Sequence, residues 1–341
     1  MELINLEYLT LKLTNKCNLK CFMCGQVYSR SRSSFEEINI KYIEKILQEA
    51  IGIKHIYLYG GEPMLYSDIS ELLSILYNQD KTVRITTNGT LLESYAEELV
   101  KYKVANVEIS MDSFHDDILE KIRGVKILSN IQNGIRKLNE EKKKMNSEFP
   151  HININCVILP QNYKEMKEFV EFVKNQMIGV ESINFEIPVI TTKEIGALYE
   201  KKLKNTFSIQ AESWKWFYNK IHPLSDNELR DIYEKICILQ ENPRVTMKRL
   251  KDYKELYNLL SQHYEIPKRN CECPYAAITV LPNGDITFCT DFPDVILGNI
   301  YCQSIEDIWL GEKSNKFRTY LEEEGSLPIC ARCVHKDEIL L

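Results

Sequence analysis

The sequence has no segment approaching the 18 or so uncharged apolar residues that span a bilayer, so no membrane-crossing helix is expected. Its start, Met1-Glu2-Leu3-Ile4-Asn5, lacks the basic and apolar regions of a secretory signal. It also lacks an excess of positive charge. Forty-three Lys and Arg against 49 Asp and Glu leave a net charge of −6, so no bulk field favours nucleic acid or an anionic membrane. The six histidines show no ligand spacing, and there are no internal repeats. A cytoplasmic protein with neither a membrane nor a nucleic-acid partner is expected. What is present is an ordinary globular balance, 44% apolar and 27% charged. At roughly 150 residues per domain, the 341 residues suggest two domains, or one larger barrel with an appendage.

Eleven cysteines are the anomaly. An odd number in a large chain without a secretory signal argues against a disulfide framework. They also cluster. Cys17, Cys21 and Cys24 lie near the start, Cys271, Cys273, Cys289, Cys302, Cys330 and Cys333 lie in the last fifth, and Cys156 and Cys237 are isolated. Clustered thiols in a reducing compartment usually hold metal, since thiolates select zinc, copper(I) or iron–sulfur clusters.

Along residues 1–192, short β-branched runs alternate with helical patterns. Strands are expected at Leu6–Thr14, His55–Leu58, Val83–Thr87, Asn106–Met111, Ile152–Leu159 and Ser182–Pro188. Helices are expected at Asn39–Ile51, Ser67–Gln79, Leu91–Tyr102, Val125–Lys142 and Asn162–Met177. Six βα units in series predict an α/β fold, a parallel sheet curled into a partial (β/α)6 barrel with its active site at the carboxyl ends of the strands. Residues 193–265 read as helices without strands, carrying an aromatic cluster at Trp214, Trp216, Phe217 and Tyr218 that is expected to pack as core. Residues 266–341 form a third unit built on a hairpin, Ala277–Leu281 and Ile286–Cys289 around a Pro282-Asn283-Gly284-Asp285 turn.

The first strand runs into Cys17-Asn18-Leu19-Lys20-Cys21-Phe22-Met23-Cys24, a CxxxCxxC loop. Three thiolates can hold three irons of a [4Fe–4S] cube and leave the fourth open, and an open metal position marks a catalytic centre. Zinc knuckles want paired CxxC and fit this spacing poorly. Further along come Gly60-Gly61-Glu62-Pro63, Thr86-Thr87-Asn88-Gly89, Ser110-Met111-Asp112 and Arg123-Gly124, each placed after a strand. Paired glycines would let backbone approach a ligand closely. Together these motifs resemble those of the radical S-adenosylmethionine (SAM) superfamily over roughly residues 6–190. The resemblance implies a cluster on Cys17, Cys21 and Cys24 whose open iron chelates SAM. It places Met23, where the family usually has an aromatic, beside the adenine. It also implies SAM contacts from Gly60, Gly61, Glu62, Pro63, Asn88, Ser110 and Arg123, with Arg123 pairing the SAM carboxylate.

Cys271-x-Cys273 precedes the hairpin, Gly284-x4-Cys289 ends it, and Cys330-x-x-Cys333 follows. This resembles the SPASM/twitch extension of that superfamily. Cys271 and Cys273 both fit the spacing to Gly284, with 12 and ten intervening residues. Cys271 is preferred, because Cys271-Glu272-Cys273-Pro274 resembles a common C-x-x-P opening, with Cys273 the alternative ligand. With no cysteine after Cys333, one auxiliary [4Fe–4S] cluster on Cys271, Cys289, Cys330 and Cys333 is expected. By themselves these four would also suit a zinc ribbon.

Among the other residues, Cys156 and Cys237 are expected in the core. Asp291 is a candidate base near the auxiliary cluster, and Cys302 a candidate hydrogen-atom donor. The resemblance implies reductive cleavage of SAM with a flavodoxin or ferredoxin as electron donor, hydrogen abstraction from substrate, and electron transfer to the auxiliary cluster. A small polar substrate such as a sugar, aminocyclitol or nucleotide is expected, because the first strand starts too early to leave room for a leader-binding domain. A ribosomal peptide is the alternative substrate. A non-catalytic electron carrier or redox sensor is the competing class, though such a protein would not need Gly60–Glu62, Ser110 or Arg123.

Overall fold

The computed structural model describes residues 6–30, 36–218, 221, 224–247, 250, 252–261, 265–266 and 271–333. Among the described residues ten strands form one sheet: β1 (Tyr8–Lys12), β2 (His55–Tyr59), β3 (Thr82–Thr87), β4 (Asn106–Ser110), β5 (His151–Val157), β6 (Val180–Glu186), β7 (Val245–Met247), β8 (Ala277–Val280), β9 (Asp285–Thr287) and β10 (Gly298–Asn299). Their order is β10-β9-β8-β1-β2-β3-β4-β5-β6-β7. Strands β1 to β7 are parallel in sequence order, and β8 joins parallel to the free edge of β1. The antiparallel pairs β8–β9 and β9–β10 complete that side.

All six expected strands form. The alternation that reveals them also sorts their side chains. In β3, Val83, Ile85 and Thr87 are buried while Arg84 and Thr86, between them, are half-buried and point into the barrel. The five expected helices form as Ile40–Glu49, Ile69–Asn78, Leu92–Lys101, Leu128–Met145 and Met166–Gln176, and each buries an apolar stripe. A further helix, Asp116–Arg123, is too short for periodicity to reveal. It ends at Gly124, whose φ of 87° is the left-handed region that glycine tolerates.

Residues 193–265 depart from expectation by containing a strand. β7 pairs parallel with β6 at Ile183, Asn184 and Phe185. Three residues between helices carry no legible alternation, and an open sheet edge captures them. Cys237 is a second departure, since it is exposed. Leu229, Ile232, Ile236 and Leu239 form the buried stripe of helix Asp226–Leu239, and the step of roughly 100° from Ile236 carries Cys237 off it. Cys156 is buried as expected. Among the described residues no helix is long and apolar enough to cross a membrane.

Candidate active site

Cys17, Cys21 and Cys24 occupy the loop between β1 and the helix Gly25–Arg30, all half-buried. Backbone hydrogen bonds pin this loop on two sides. Phe22 N donates to Ile122 O at 3.0 Å and Lys20 N to Arg123 O at 3.4 Å, docking it on the end of helix Asp116–Arg123. Gly61 N donates to Thr14 O and Glu62 N to Lys16 O, both at 2.7 Å. The paired glycines therefore approach the chain's own backbone, a different reason for their smallness from the ligand approach expected. A Cβ at Gly61 would lie 1.9 Å from Lys16 O, and one at Gly60 2.6 Å from Thr14 O.

Glu62 is fully buried and ties the second-strand loop to the third. It accepts from Thr87 Oγ1 at 2.7 Å, Asn88 N at 2.8 Å and Met64 N at 3.2 Å. Burial outweighs those bonds and raises its carboxyl to about 7. Pro63 opens a buried 3-10 turn directly after it. Asn88 Nδ2 bonds Asn18 at 2.9 Å and reaches Cys17 Sγ at 3.9 Å. Ser110 ends β4, half-buried, and Met23 is half-buried within the loop. Arg123 is buried and paired with Asp112 at 2.7 Å. That arrangement puts a guanidinium beside the cysteine loop, but spends one of its faces on a carboxylate of the chain itself. Burial raises the Cys21 thiol to about 11, with Arg123 opposing and Cys24, Asp112 and Cys17 adding. Three mutually interacting thiols next to a buried cation suit a group that takes three thiolates.

The second thiol group assembles beyond the hairpin. Burial raises Cys289, with Asp291, Cys330 and Cys333 acting on it, and Phe292 N donates to its Sγ at 3.4 Å. Cys330 and Cys333 sit one turn apart, Cys333 N donating to Cys330 O at 3.1 Å. Cys273 hydrogen-bonds Cys271 and holds that thiol down at about 7, while its own is raised. Cys289 and Cys333 act on Cys273, which places it on the side of the other thiols. Among the described residues no three His, Cys, Asp or Glu side chains converge as around a single metal ion. Arg332, inside the CxxC, is buried and donates to the backbone oxygens of Asn258, Leu259 and Ser261, anchoring the thiols to the end of helix Tyr253–Leu260.

The two thiol groups are brought together by the sheet, since β1 leads into the first and β8, its parallel partner, follows Cys271 and Cys273 of the second. The inward faces of the strands form a polar lumen. Its lower part is a closed network in which Glu108 accepts from Arg84 at 2.9 Å, Thr86 at 2.8 Å and Asn155 at 3.2 Å. At the carboxyl ends of the strands stand Lys12, Tyr59 and Glu186, with Asp291 acting electrostatically on both Tyr59 and Glu186. Trp216 lies over Lys12, its ring centroid 6.0 Å from Nζ. The adjacent Phe217 packs on Gly25, next to Cys24, and stands 5.3 Å from the Phe292 ring. Trp214 is core, as expected, but Trp216 and Phe217 are half-buried and bridge the two thiol-bearing loops. Cys302 is exposed, in the turn after β10 next to Tyr301, which packs on Tyr42 of the outer helix. Sequence reading overlooked Glu186, Tyr59 and Arg332. A charged residue between Phe185 and Ile187 in a strand was the available signal for Glu186.

Residues 11–173 match the family model of the radical SAM superfamily, and residues 271–334 match SPASM, an iron–sulfur cluster-binding domain. The chain is 24% identical over 342 residues to the tungsten-containing aldehyde ferredoxin oxidoreductase cofactor-modifying protein of Pyrococcus furiosus, covering 97% of this chain and 88% of that one. It is 28% identical over 233 residues to a probable GTP 3′,8-cyclase of Methanocaldococcus jannaschii, covering 67% of each. In fold it resembles Streptococcus suis SuiB bound to S-adenosylmethionine, with a TM-score of 0.68 at 20% identity over 97% of this chain and 73% of SuiB. The two domain matches bring SAM and iron–sulfur clusters as cofactors. The thiol loop at the top of β1 and strands β2 to β5 thus fall under the first matched model and the second thiol group under the second, and the chain belongs to the radical SAM superfamily and carries a SPASM domain.

Proposed function

We propose that this enzyme removes a hydrogen atom from a polar substrate held in the barrel lumen and passes the resulting substrate electron to an auxiliary cluster, giving net oxidation. The observation that supports this reading is the link between the lumen and the second thiol group, with Asp291 acting on Glu186 and Tyr59 on one side and on Cys289 on the other. Cys17, Cys21 and Cys24 would hold the SAM-binding cluster. Cys289, Cys330, Cys333 and one of the bonded pair Cys271 and Cys273 would hold the auxiliary one. When bound, these groups would supply a 5′-deoxyadenosyl radical and a one-electron acceptor.

The chain's own residues supply placement and shielding. Glu62 fixes the Asn88 loop beside Cys17. Arg123 places positive charge beside Cys21. Trp216 and Phe217 roof the lumen against water. Asp291 stands where it could take the proton that leaves with the substrate electron. An external one-electron donor such as a flavodoxin or ferredoxin completes the cycle.

Cys17→Ala should abolish SAM cleavage. Cys330→Ala should retain part of the cleavage but stop product formation. Equal loss of both in Cys330→Ala contradicts an electron-accepting role. A second reading is a peptide maturase. It is favoured by the likeness to SuiB bound to its precursor peptide, with a TM-score of 0.66 at 21% identity.

A further inference from the structure

The charge beside the first thiol loop comes as a pair. Arg123 and Asp112 are 5% and 1% exposed, and Arg123 Nη2 lies 2.7 Å from Asp112 Oδ2. Asp112 is fixed from its far side. Its Oδ1 accepts from Val157 N at 2.9 Å, and its backbone oxygen accepts from Asn162 Nδ2 at 2.7 Å. Arg123 is fixed by the helix Asp116–Arg123 that it ends. Its Nε is buried without a hydrogen-bond partner, so the ion pair with Asp112 is what orients the guanidinium.

The same helix end holds Cys21. The amides on either side of that cysteine, Lys20 N and Phe22 N, donate to Arg123 O at 3.4 Å and to Ile122 O at 3.0 Å. Those two N–H groups are committed to carbonyls and do not serve a sulfur. Hydrogen bonds to the sulfurs and the net charge around them set the potential of an iron–sulfur cluster. A lone buried cation at this place would stabilise the reduced state and raise the potential, the more so in a low dielectric. Asp112 stands an opposite charge against it. The two act on the Cys21 thiol in opposite senses, Arg123 lowering it and Asp112 raising it, alongside Cys24 and Cys17. One-electron cleavage of a sulfonium needs a strong reductant, so cancelling the Arg123 charge serves that chemistry. We propose that Asp112 is a positioning residue that keeps the potential of the first cluster low. It cancels the charge of Arg123 beside Cys21, and it leaves the guanidinium in place as a joint between the loops after β4 and β5 and the cysteine loop. The proposal rests on the reading that Cys17, Cys21 and Cys24 hold a cluster.

The test is a redox titration of the reconstituted holoenzyme, followed by electron paramagnetic resonance with and without SAM. The signal that SAM perturbs belongs to the cluster with an open iron, which separates it from the auxiliary one. Wild type is compared with Asp112→Asn, Arg123→Gln and the double variant. Asp112→Asn should raise the reduced-to-oxidised ratio at a fixed applied potential by about tenfold, an upward shift of about 59 mV for one electron. Arg123→Gln should shift the potential downward. The double variant, neutral like the intact pair, should return close to wild type. A loosened loop does not produce opposite shifts that cancel. Where one single variant fails to bind the first cluster, the other decides alone against wild type and the double variant. Unchanged potentials overturn the proposal, as do shifts of the same sign in both single variants, or loss of the first cluster from both. A wild type without a SAM-sensitive signal removes instead the cluster assigned to Cys17, Cys21 and Cys24. A SAM-sensitive signal at an unshifted potential removes the role of Asp112 alone.

Discussion

At the scale of single residues, two inward-facing acids differ in how fully the protein bonds them. Glu62 is a structural clasp. Replacing it with Ala leaves three buried donors, Thr87 Oγ1, Asn88 N and Met64 N, without an acceptor. At roughly 1–3 kcal/mol for each unmet group, urea denaturation of Glu62→Ala should show a loss of about 3 kcal/mol or more. Glu186 has one hydrogen bond to the protein, and its carboxyl stands at about 7 in the folded chain against 4.5 when free. The folded protein therefore keeps a proton that the unfolded chain gives up. Stability falls as pH rises from 4.5 to 7 and levels off above. Glu62 contributes in the same direction, so the comparison that isolates Glu186 is wild type against Glu186→Gln. The variant should show a shallower decline by about 1–3 kcal/mol across that window, and an unchanged slope contradicts the assigned burial.

At the scale of elements, the first cysteine loop is held by backbone hydrogen bonds and the second by a buried side chain of its own. A methyl group at Gly61 cannot coexist with Lys16 O at 1.9 Å. Gly61→Ala should therefore displace residues 14–17 and lower the iron bound by the first loop, while the second loop keeps its share. Retention of the full iron complement would contradict this buttressing. Arg332 plays the same part for the second loop. Arg332→Met removes the donors that bind three backbone oxygens at the end of helix Tyr253–Leu260. It should lower the melting temperature by several degrees and the iron count by up to half.

The elements themselves were legible where periodicity ran long. Six strands and five helices of the barrel appear where alternation and stripes place them. β7 was not legible, because three residues show no period. The role of Arg332 was not legible either, because its partners lie some seventy residues away. The position of Cys237 follows from helix geometry once the stripe of Ile232 and Ile236 is fixed, and the expectation of burial ignored the rotation of one residue.

At the scale of the molecule, the SPASM hairpin is continuous with the barrel sheet. β8 pairs with β1 residue for residue from Tyr8↔Ala277 to Leu11↔Val280, so the strand that leads into the first thiol loop is hydrogen-bonded to the strand that follows Cys271 and Cys273. The Trp214–Phe217 segment bridges the same two loops from above, with Asp294 bonding Glu212 N at 2.8 Å and Ser213 N at 3.0 Å. The cysteine motifs announced two centres in the sequence. Their common lumen did not show there, because it arises from strand pairing between residues some 270 positions apart.

The measurement that tests the central claim most directly is 5′-deoxyadenosine formation by the anaerobically reconstituted, reduced protein, with iron counted in the same sample. Two complete cubes require about eight irons per chain, and the account predicts that count together with SAM cleavage. Full iron loading without 5′-deoxyadenosine would contradict it and leave an electron carrier. Cleavage with about four irons would remove the auxiliary cluster, and the oxidation proposed with it.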